Sequence, residues 1–193
     1  MDFNAEIIEF KRQLAKLEDA VKAAEAKEAQ ADNRPITERV KDFGDAVTLL
    51  GDDHPFVRQY DAAILGNEDI YESDRDMADL VAYYRLRIIT AALNEGWEPK
   101  FTEGEWRYYP WYTLYTQAEW EELPEAVKKG GVLFGGGAGS GAAAGFAYAS
   151  SSCAPSGACA YFGSRLCFRT EALAKYAGRQ FAALYADFYL IRK

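Results

Sequence analysis

At 193 residues, with 49% hydrophobic and 15% aromatic side chains, the chain has enough apolar sequence to fold around a buried core. Its formal net charge of -8 argues against a nucleic-acid partner, because neutralising phosphates requires clustered Lys and Arg. No apolar run approaches the length of a membrane span, and the opening MDFNAEIIEFKRQ lacks the basic-then-apolar order of a signal peptide. We therefore expect a soluble protein that is neither exported by that route nor inserted in a membrane.

The charge is distributed unevenly along the chain. Residues 1–129 carry 16 basic and 28 acidic side chains, whereas residues 165–193 carry 6 basic and 2 acidic ones. We expect the basic C-terminal segment to dock against the acidic helices of the same chain.

The first segment, residues 1–34, is predicted to be an amphipathic helix that stops before Pro35. Its apolar residues recur at alternating spacings of four and three, which is the heptad pattern. They are Phe3, Ile7, Phe10, Leu14, Leu17, Val21 and Ala24. Two interpretations remain open: a short coiled coil that makes a homo-oligomer through residues 3–24, and a helix packed against its own domain.

The second segment, residues 35–96, is predicted to be helical. One helix covers residues 37–50 and ends at Gly51, and another covers residues 55–65 and ends at Gly66. A longer helix is capped by Ser73 and closed by Gly96. Its inward face is expected to carry Met77, Leu80, Val81, Tyr84, Ile88 and Ala91.

A third segment, residues 97–193, begins where the composition becomes aromatic. The stretch WRYYPWYTLYT predicts an edge strand, or two strands joined at a kink at Pro110. Its tryptophans are predicted to build a dense core, with a sugar-stacking platform over Trp97 to Trp120 as the alternative. A short helix opened by Thr116 with Glu119, a strand at RLCFR, and a last helix of about five turns follow. The last helix starts at Thr170 and is expected to bury Leu173, Ala177, Phe181, Leu184, Phe188 and Ile191.

Patterns that carry catalytic or metal chemistry are missing from the sequence. His54 is the only histidine and precedes Pro55 at a helix start, so no Ser-His or Cys-His pair is available. Cys153, Cys159 and Cys167 have neither zinc-ligand spacing nor an even number for disulfides. The glycine-rich FGGGAGSG lacks the Lys of a phosphate loop, and the acidic turn DRDMAD lacks the Gly and closing Glu of a calcium loop. We predict no enzyme, no cofactor and no metal.

Residues 130–164, here called the uncharged tract, contain no charged side chain, Asn or Gln. Most of its positions are Gly, Ala or Ser, which is typical of a linker. The tract nevertheless contains five aromatic residues, which a spacer does not need. They are Phe134, Phe146, Tyr148, Tyr161 and Phe162.

The two ends of the tract carry the motifs VLFGG, from Val132 to Gly136, and FGSRLCF, from Phe162 to Phe168. With AGFAYA between them, these motifs resemble the variable segment of proteins diversified by diversity-generating retroelements, over roughly residues 75–193. In that family, template adenines are mutated at fixed positions of a C-type lectin-like fold. The resemblance implies an α+β protein in which N-terminal helices precede a small lectin-like domain. The sequence differs from the family pattern after Arg169, where a helix is predicted and the chain of lectin-like members usually ends.

The resemblance also divides the tract into a fixed scaffold and replaceable positions. The implied scaffold consists of Gly135, Gly136, Phe146, Tyr148, Phe162, Gly163 and Arg165. The implied ligand-binding, replaceable positions are Gly137, Gly139, Ser140, Ala143, Ser150, Ser152, Cys153, Gly157, Cys159 and Tyr161. Every one of these residue types can be reached from an Asn codon by replacing adenines alone. Ser150 and Ser152 also alternate, which predicts that they share one face of an extended segment.

The expected function is a non-enzymatic display protein, similar to short uncharacterised proteins of gut Bacteroides and their phages. Its implied partner is a protein or glycan on a host cell surface. Its implied location is the virion if a phage encodes it, and the cytoplasm otherwise. The alternative is a phage structural or assembly protein whose Gly- and Ala-rich β region is packed and binds no ligand.

Overall fold

A computed structural model describes residues 12–14, 16–18, 32–67, 77–100, 102, 104–133, 145–155 and 165–190. For residues 117, 132, 133 and 145–155 it defines the backbone alone. The chain divides into two compact units, Met1–Pro35 and Ile36–Lys193, so the change of composition at Trp97 lies inside the second unit. No helix within these described ranges is long and apolar enough to cross a membrane.

In the first unit, residues 12–14 and 16–18 are helical. Leu14 and Leu17, both members of the predicted seam, are 47% and 64% exposed. The other seam residues lie outside the described ranges, so the coiled coil stays a prediction.

The second unit opens with two short helices, α1 (Ile36–Arg39) and α2 (Phe43–Leu50). The prediction of one continuous helix over residues 37–50 is wrong, because Asp42 starts a new helix with a capping box. Its side chain accepts a hydrogen bond from the backbone N–H of Asp45, and the Asp45 carboxylate accepts one from the N–H of Asp42. The predicted end at Gly51 is confirmed by its left-handed φ of 80°.

Helix α3 (Pro55–Ala63) is capped by the only histidine in the sequence. Nδ1 of His54 accepts a hydrogen bond from the N–H of Phe56 at 3.2 Å. Partial burial lowers the pKa of His54, which favours the neutral ring that can accept this bond. His54 therefore has a local structural role.

Helix α4 (Ala78–Asn94) forms the centre of the helical layer. It contacts α2 and α3 on one side and the last helices of the chain on the other. Its buried residues therefore extend beyond the predicted face and include Leu86, Ile89 and Leu93, whereas Leu80 is 41% exposed, contrary to prediction. The predicted cap Ser73 lies outside the described residues, and Gly96 follows the helix end with a φ of 80°.

A three-stranded antiparallel sheet of β1 (Trp106–Tyr115), β2 (Gly131–Leu133) and β3 (Gly145–Pro155) has the order β1-β3-β2. The predicted edge strand is confirmed as β1. The strand predicted at RLCFR is reduced to one bridge, between Phe168 and Tyr108. Alternate residues of a strand direct their backbone N–H groups toward opposite sides of the strand. Tyr108 bonds to Phe168 on the side of β1 away from β3, and Pro110, two residues further on, has its backbone nitrogen on that same side. The missing N–H of Pro110 therefore costs no hydrogen bond between β1 and β3.

The described part of the chain has four further helices, α5 (Gln117–Glu122), α6 (Glu125–Lys128), α7 (Glu171–Gln180) and α8 (Ala182–Tyr189). Thr116 and Glu119 form the predicted start of α5 as a capping box. Pro124 divides the predicted helix after residue 116, because the residue before a proline is held extended. The predicted five-turn C-terminal helix is also divided, at Phe181, so that α7 contacts β1 and β3 while α8 contacts α4.

Helices α1 to α4, α7 and α8 and one side of β1 share a hydrophobic core, which gives an α+β architecture. Tyr112 of β1 contacts this core, with its ring centroid 5.3 Å from that of Tyr185. Its hydroxyl donates a hydrogen bond to the carbonyl oxygen of Gly178 at 2.8 Å. Arg169 of the basic C-terminal segment pairs with Glu95, the residue after α4, and the wider docking of this segment on the acidic helices stays a prediction.

Candidate functional site

The two faces of β1 have different surroundings. Tyr108 and Tyr112 pack against the helical core, so their side of the sheet is the core face. Tyr109 and Trp111 alternate with them and define the other side, here called the outer face. Trp111 is 47% exposed, which makes the outer face accessible at the middle of the strand.

A β-bulge determines which residues of β3 belong to each face. Tyr148 pairs with Tyr112 and Ser150 pairs with Trp111, which leaves Ala149 as an extra residue between two consecutive partners. An uninterrupted alternation would have placed Tyr148 and Ser150 on the same face. With the bulge, position 148 belongs to the core face and position 150 to the outer face.

The register separates most of the described candidate positions from the scaffold positions. Ser150 and Ser152 pair with Trp111 and Tyr109, and so occupy outer-face positions. Cys153 pairs with Tyr108 instead, which is a core-face position. The bulge thus assigns positions 150 and 152 to the outer face, and the ordinary alternation of the strand places position 153 on the other face.

Two scaffold positions lie on the opposite side from the serines. Phe146 and Tyr148 pair with Leu114 and Tyr112, in phase with the core face. Arg165 is exposed at the turn where the described chain resumes. The other candidates lie outside the described residues: Gly135, Gly136, Gly137, Gly139, Ser140, Ala143, Gly157, Cys159, Tyr161, Phe162 and Gly163.

The tryptophans do not form the dense core that was predicted. Trp120 alone is buried, at 7% exposure, and packs edge-on against Tyr115 with centroids 6.4 Å apart. Trp106 and Trp111 are 50% and 47% exposed. They are five positions apart on a regular strand and therefore face opposite sides, so they do not build one common platform.

The accessible part of the outer face is narrow. Arg107, near one end of β1, is 6% exposed, and Tyr115, at the other end, is partly buried and packs edge-on against Trp120. Trp111 lies between them beside the Ser150 position. Trp111 was predicted to be a core residue, or part of a sugar-stacking platform, whereas its odd spacing from Tyr108 and Tyr112 places it on the outer face.

The outer face has a mixed chemical character. It combines a large, half-exposed indole with backbone positions that the resemblance implies to be replaceable. The nearby Cys167 is 2% exposed, and burial raises the pKa of its thiol to about 11, which keeps it protonated and unreactive at neutral pH. Among the residues with described positions, no group of three His, Cys, Asp or Glu is arranged to hold a metal ion.

No family model matches the chain, and neither a curated protein nor a solved structure matches it.

Proposed function

We propose that this chain is a non-enzymatic ligand-binding protein with a diversified surface, in which the outer face and the adjoining uncharged tract form the binding surface. The C-terminal part adopts a C-type lectin-like topology extended by α7 and α8. A phage encodes the protein, and its ligand is a protein or glycan on the surface of a host cell. Residues 3–24 join copies into a homo-oligomer.

One observation carries the proposal: the bulge at Ala149 puts the serine positions and the aromatic scaffold positions on different faces. Ser150 and Ser152 stand on the outer face, while Phe146 and Tyr148 are in phase with the core face. A surface that tolerates replacement requires this separation, since an altered core position would change packing and stability.

Trp111 is the anchor of this surface. Binding hot spots are enriched in Trp, Tyr and Arg. Among the ten replaceable positions of this variant, Tyr161 is the only large side chain. Each copy is therefore expected to bind weakly, and an oligomer would gain affinity through avidity.

The proposal can be tested without knowing the natural ligand. The ten replaceable positions are randomised together, displayed on yeast, and selected against hen lysozyme as an arbitrary protein target. We expect folded, specific binders to emerge. The control library randomises ten other positions in the tract, including Phe146 and Tyr148, and is expected to lose surface expression. Equal loss of expression in both libraries would refute the division into scaffold and replaceable positions.

The role of Trp111 has a matched control on the same strand. In a selected binder, Trp111→Ala is expected to weaken binding about 30-fold, equivalent to about 2 kcal/mol. Trp106→Ala removes an equally exposed indole from the opposite side and is expected to change affinity by less than about twofold. Equal effects of the two substitutions would contradict an outer-face site.

Sequencing many copies of the gene from one population distinguishes display from assembly. Substitutions confined to the ten positions and traceable to template adenines support a diversified surface. Substitutions scattered over the chain support the alternative, a phage structural protein.

A further inference from the structure

The chain returns from the uncharged tract through residues 166–169, here called the return segment. Leu166, Cys167 and Phe168 are 3%, 2% and 0% exposed, although the segment is neither a helix nor a regular strand. Buried backbone of this kind needs a hydrogen-bond partner for its N–H and C=O groups. The partners come from two directions.

On one side, Phe168 exchanges two backbone hydrogen bonds with Tyr108, at 2.8 and 3.1 Å. On the other side, the carboxamide of Asn94 at the end of α4 forms hydrogen bonds with the backbone groups on either side of Phe168. Its Nδ2 donates to the carbonyl oxygen of Cys167 at 2.9 Å, and its Oδ1 accepts from the N–H of Arg169 at 3.1 Å. A carboxamide has the donor and acceptor of a peptide group, so Asn94 takes the place of a neighbouring strand.

The next residue strengthens the same connection. Glu95 has a left-handed φ of 49°, which is uncommon for a residue other than glycine. Its carboxylate pairs with Arg39 of α1 and with Arg169 of the return segment. The end of α4 therefore joins the return segment to the helical layer through a buried carboxamide and a shared carboxylate.

We infer that Asn94 is a positioning residue for the uncharged tract: it holds the return segment to the helical core independently of the side chains at the replaceable positions. Asn94 is 4% exposed, and both polar atoms of its carboxamide bond to backbone groups, which no substitution in the tract changes. The return segment is held in this way whatever side chains the tract carries. The attachment of the return segment to α4 rests on the observed hydrogen bonds alone. Its benefit to a tract with replaceable side chains rests on the proposed function.

The direct test is hydrogen exchange followed by mass spectrometry on the full chain. Asn94→Ala removes both bonds, and Asn94→Asp keeps the shape but loses the donor toward Cys167. Thr90→Val is the matched control, because Thr90 is 3% exposed on the same helix and its hydroxyl has no hydrogen-bond partner in the described part of the chain. We expect the Asn94 variants to speed exchange of the return-segment amides at least about tenfold more than that of α2, with no such difference in Thr90→Val.

If Asn94 only adds global stability, its substitution will raise the exchange rates of all slowly exchanging amides equally. That uniform result would overturn the inference. If Asn94→Asp fails to fold, Asn94→Ala, which adds no charge, decides the question by the same comparison.

A second measurement links the hold to binding. In a lysozyme binder selected from the tract library, Asn94→Ala is expected to raise the dissociation rate about tenfold, while Thr90→Val leaves it within about twofold. An unchanged rate in Asn94→Ala would overturn the link to the tract. A library without binders would refute the proposed function, whereas the exchange experiment would still decide whether Asn94 holds the return segment.

Discussion

Three consecutive serines, Ser150 to Ser152, allow the faces of β3 to be read by chemistry. In a chain with Cys153→Ser and Cys159→Ser, each serine is replaced by cysteine in turn, and the thiol is reacted with Ellman's reagent at pH 8. The register pairs positions 150 and 152 with outer-face residues and position 151 with the buried Pro110. We expect fast, slow and fast labelling along the three positions.

The size of the contrast follows from Cys167, the remaining native thiol and the internal reference. Burial raises its pKa from the ordinary 9.0 to about 11. At pH 8 the reactive thiolate is then about 0.1% of the thiol, against about 9% for an unperturbed thiol, a difference of about 100-fold. A thiol at position 151 is expected to lie between these limits, at least about tenfold slower than one at position 150.

Mass spectrometry of the labelled chain identifies which thiol has reacted. Slow, fast and slow labelling would mean that Ala149 pairs with Trp111 and that no bulge separates Tyr148 from Ser150. Equal rates at all three positions would mean that β3 has no buried face. Either result would remove the observation on which the proposed function rests.

Three further predictions concern stability and assembly. Tyr112→Phe loses the hydrogen bond of its hydroxyl and is expected to lower the Tm by about 3 °C, whereas Tyr185→Phe should leave it unchanged or raise it, because the buried Tyr185 hydroxyl has no partner among the described residues. Hydrogen bonds from the Thr116 backbone and side chain lower the pKa of Glu119, so the capping box stabilises the fold above the ordinary glutamate pKa and loses this contribution as the pH falls through the lowered value. Glu119→Gln should make the Tm fall less steeply as the pH is lowered. An equally steep fall in this variant would contradict the contribution of Glu119 to the capping box. Light scattering should find an oligomer for the full chain and a monomer after deletion of residues 1–34. The same number of copies per particle for both chains would contradict the predicted coiled coil.

Features that depend on a few neighbouring residues were predictable from the sequence. The capping box at Thr116, the edge strand with Pro110 and the helix ends at Gly51 and Gly96 all follow from local backbone chemistry. In each case the physical cause lies within one turn of chain.

Continuous helices were predicted at two places where a local cap or a buried side chain divides the chain. The helix over residues 37–50 divides because Asp42 and Asp45 can cap each other, and the C-terminal helix divides at Phe181, whose side chain is 6% exposed. Apolar spacing continues through both breaks, so periodicity could not locate them. The inward face of α4 was misjudged at Leu80, since the number of elements packed around a helix is not encoded in its own spacing.

The sequence by itself determined that the uncharged tract has an aromatic frame with small residues between, and that Ser150 and Ser152 share a face. Only the tertiary structure decided which face that is. One extra residue, Ala149, inverts the alternation between Tyr148 and Ser150, and the pairing of β3 with β1 is what defines it as extra. The bonds of Asn94 join residues 73 and 75 positions apart, and a partner at that distance is chosen by packing.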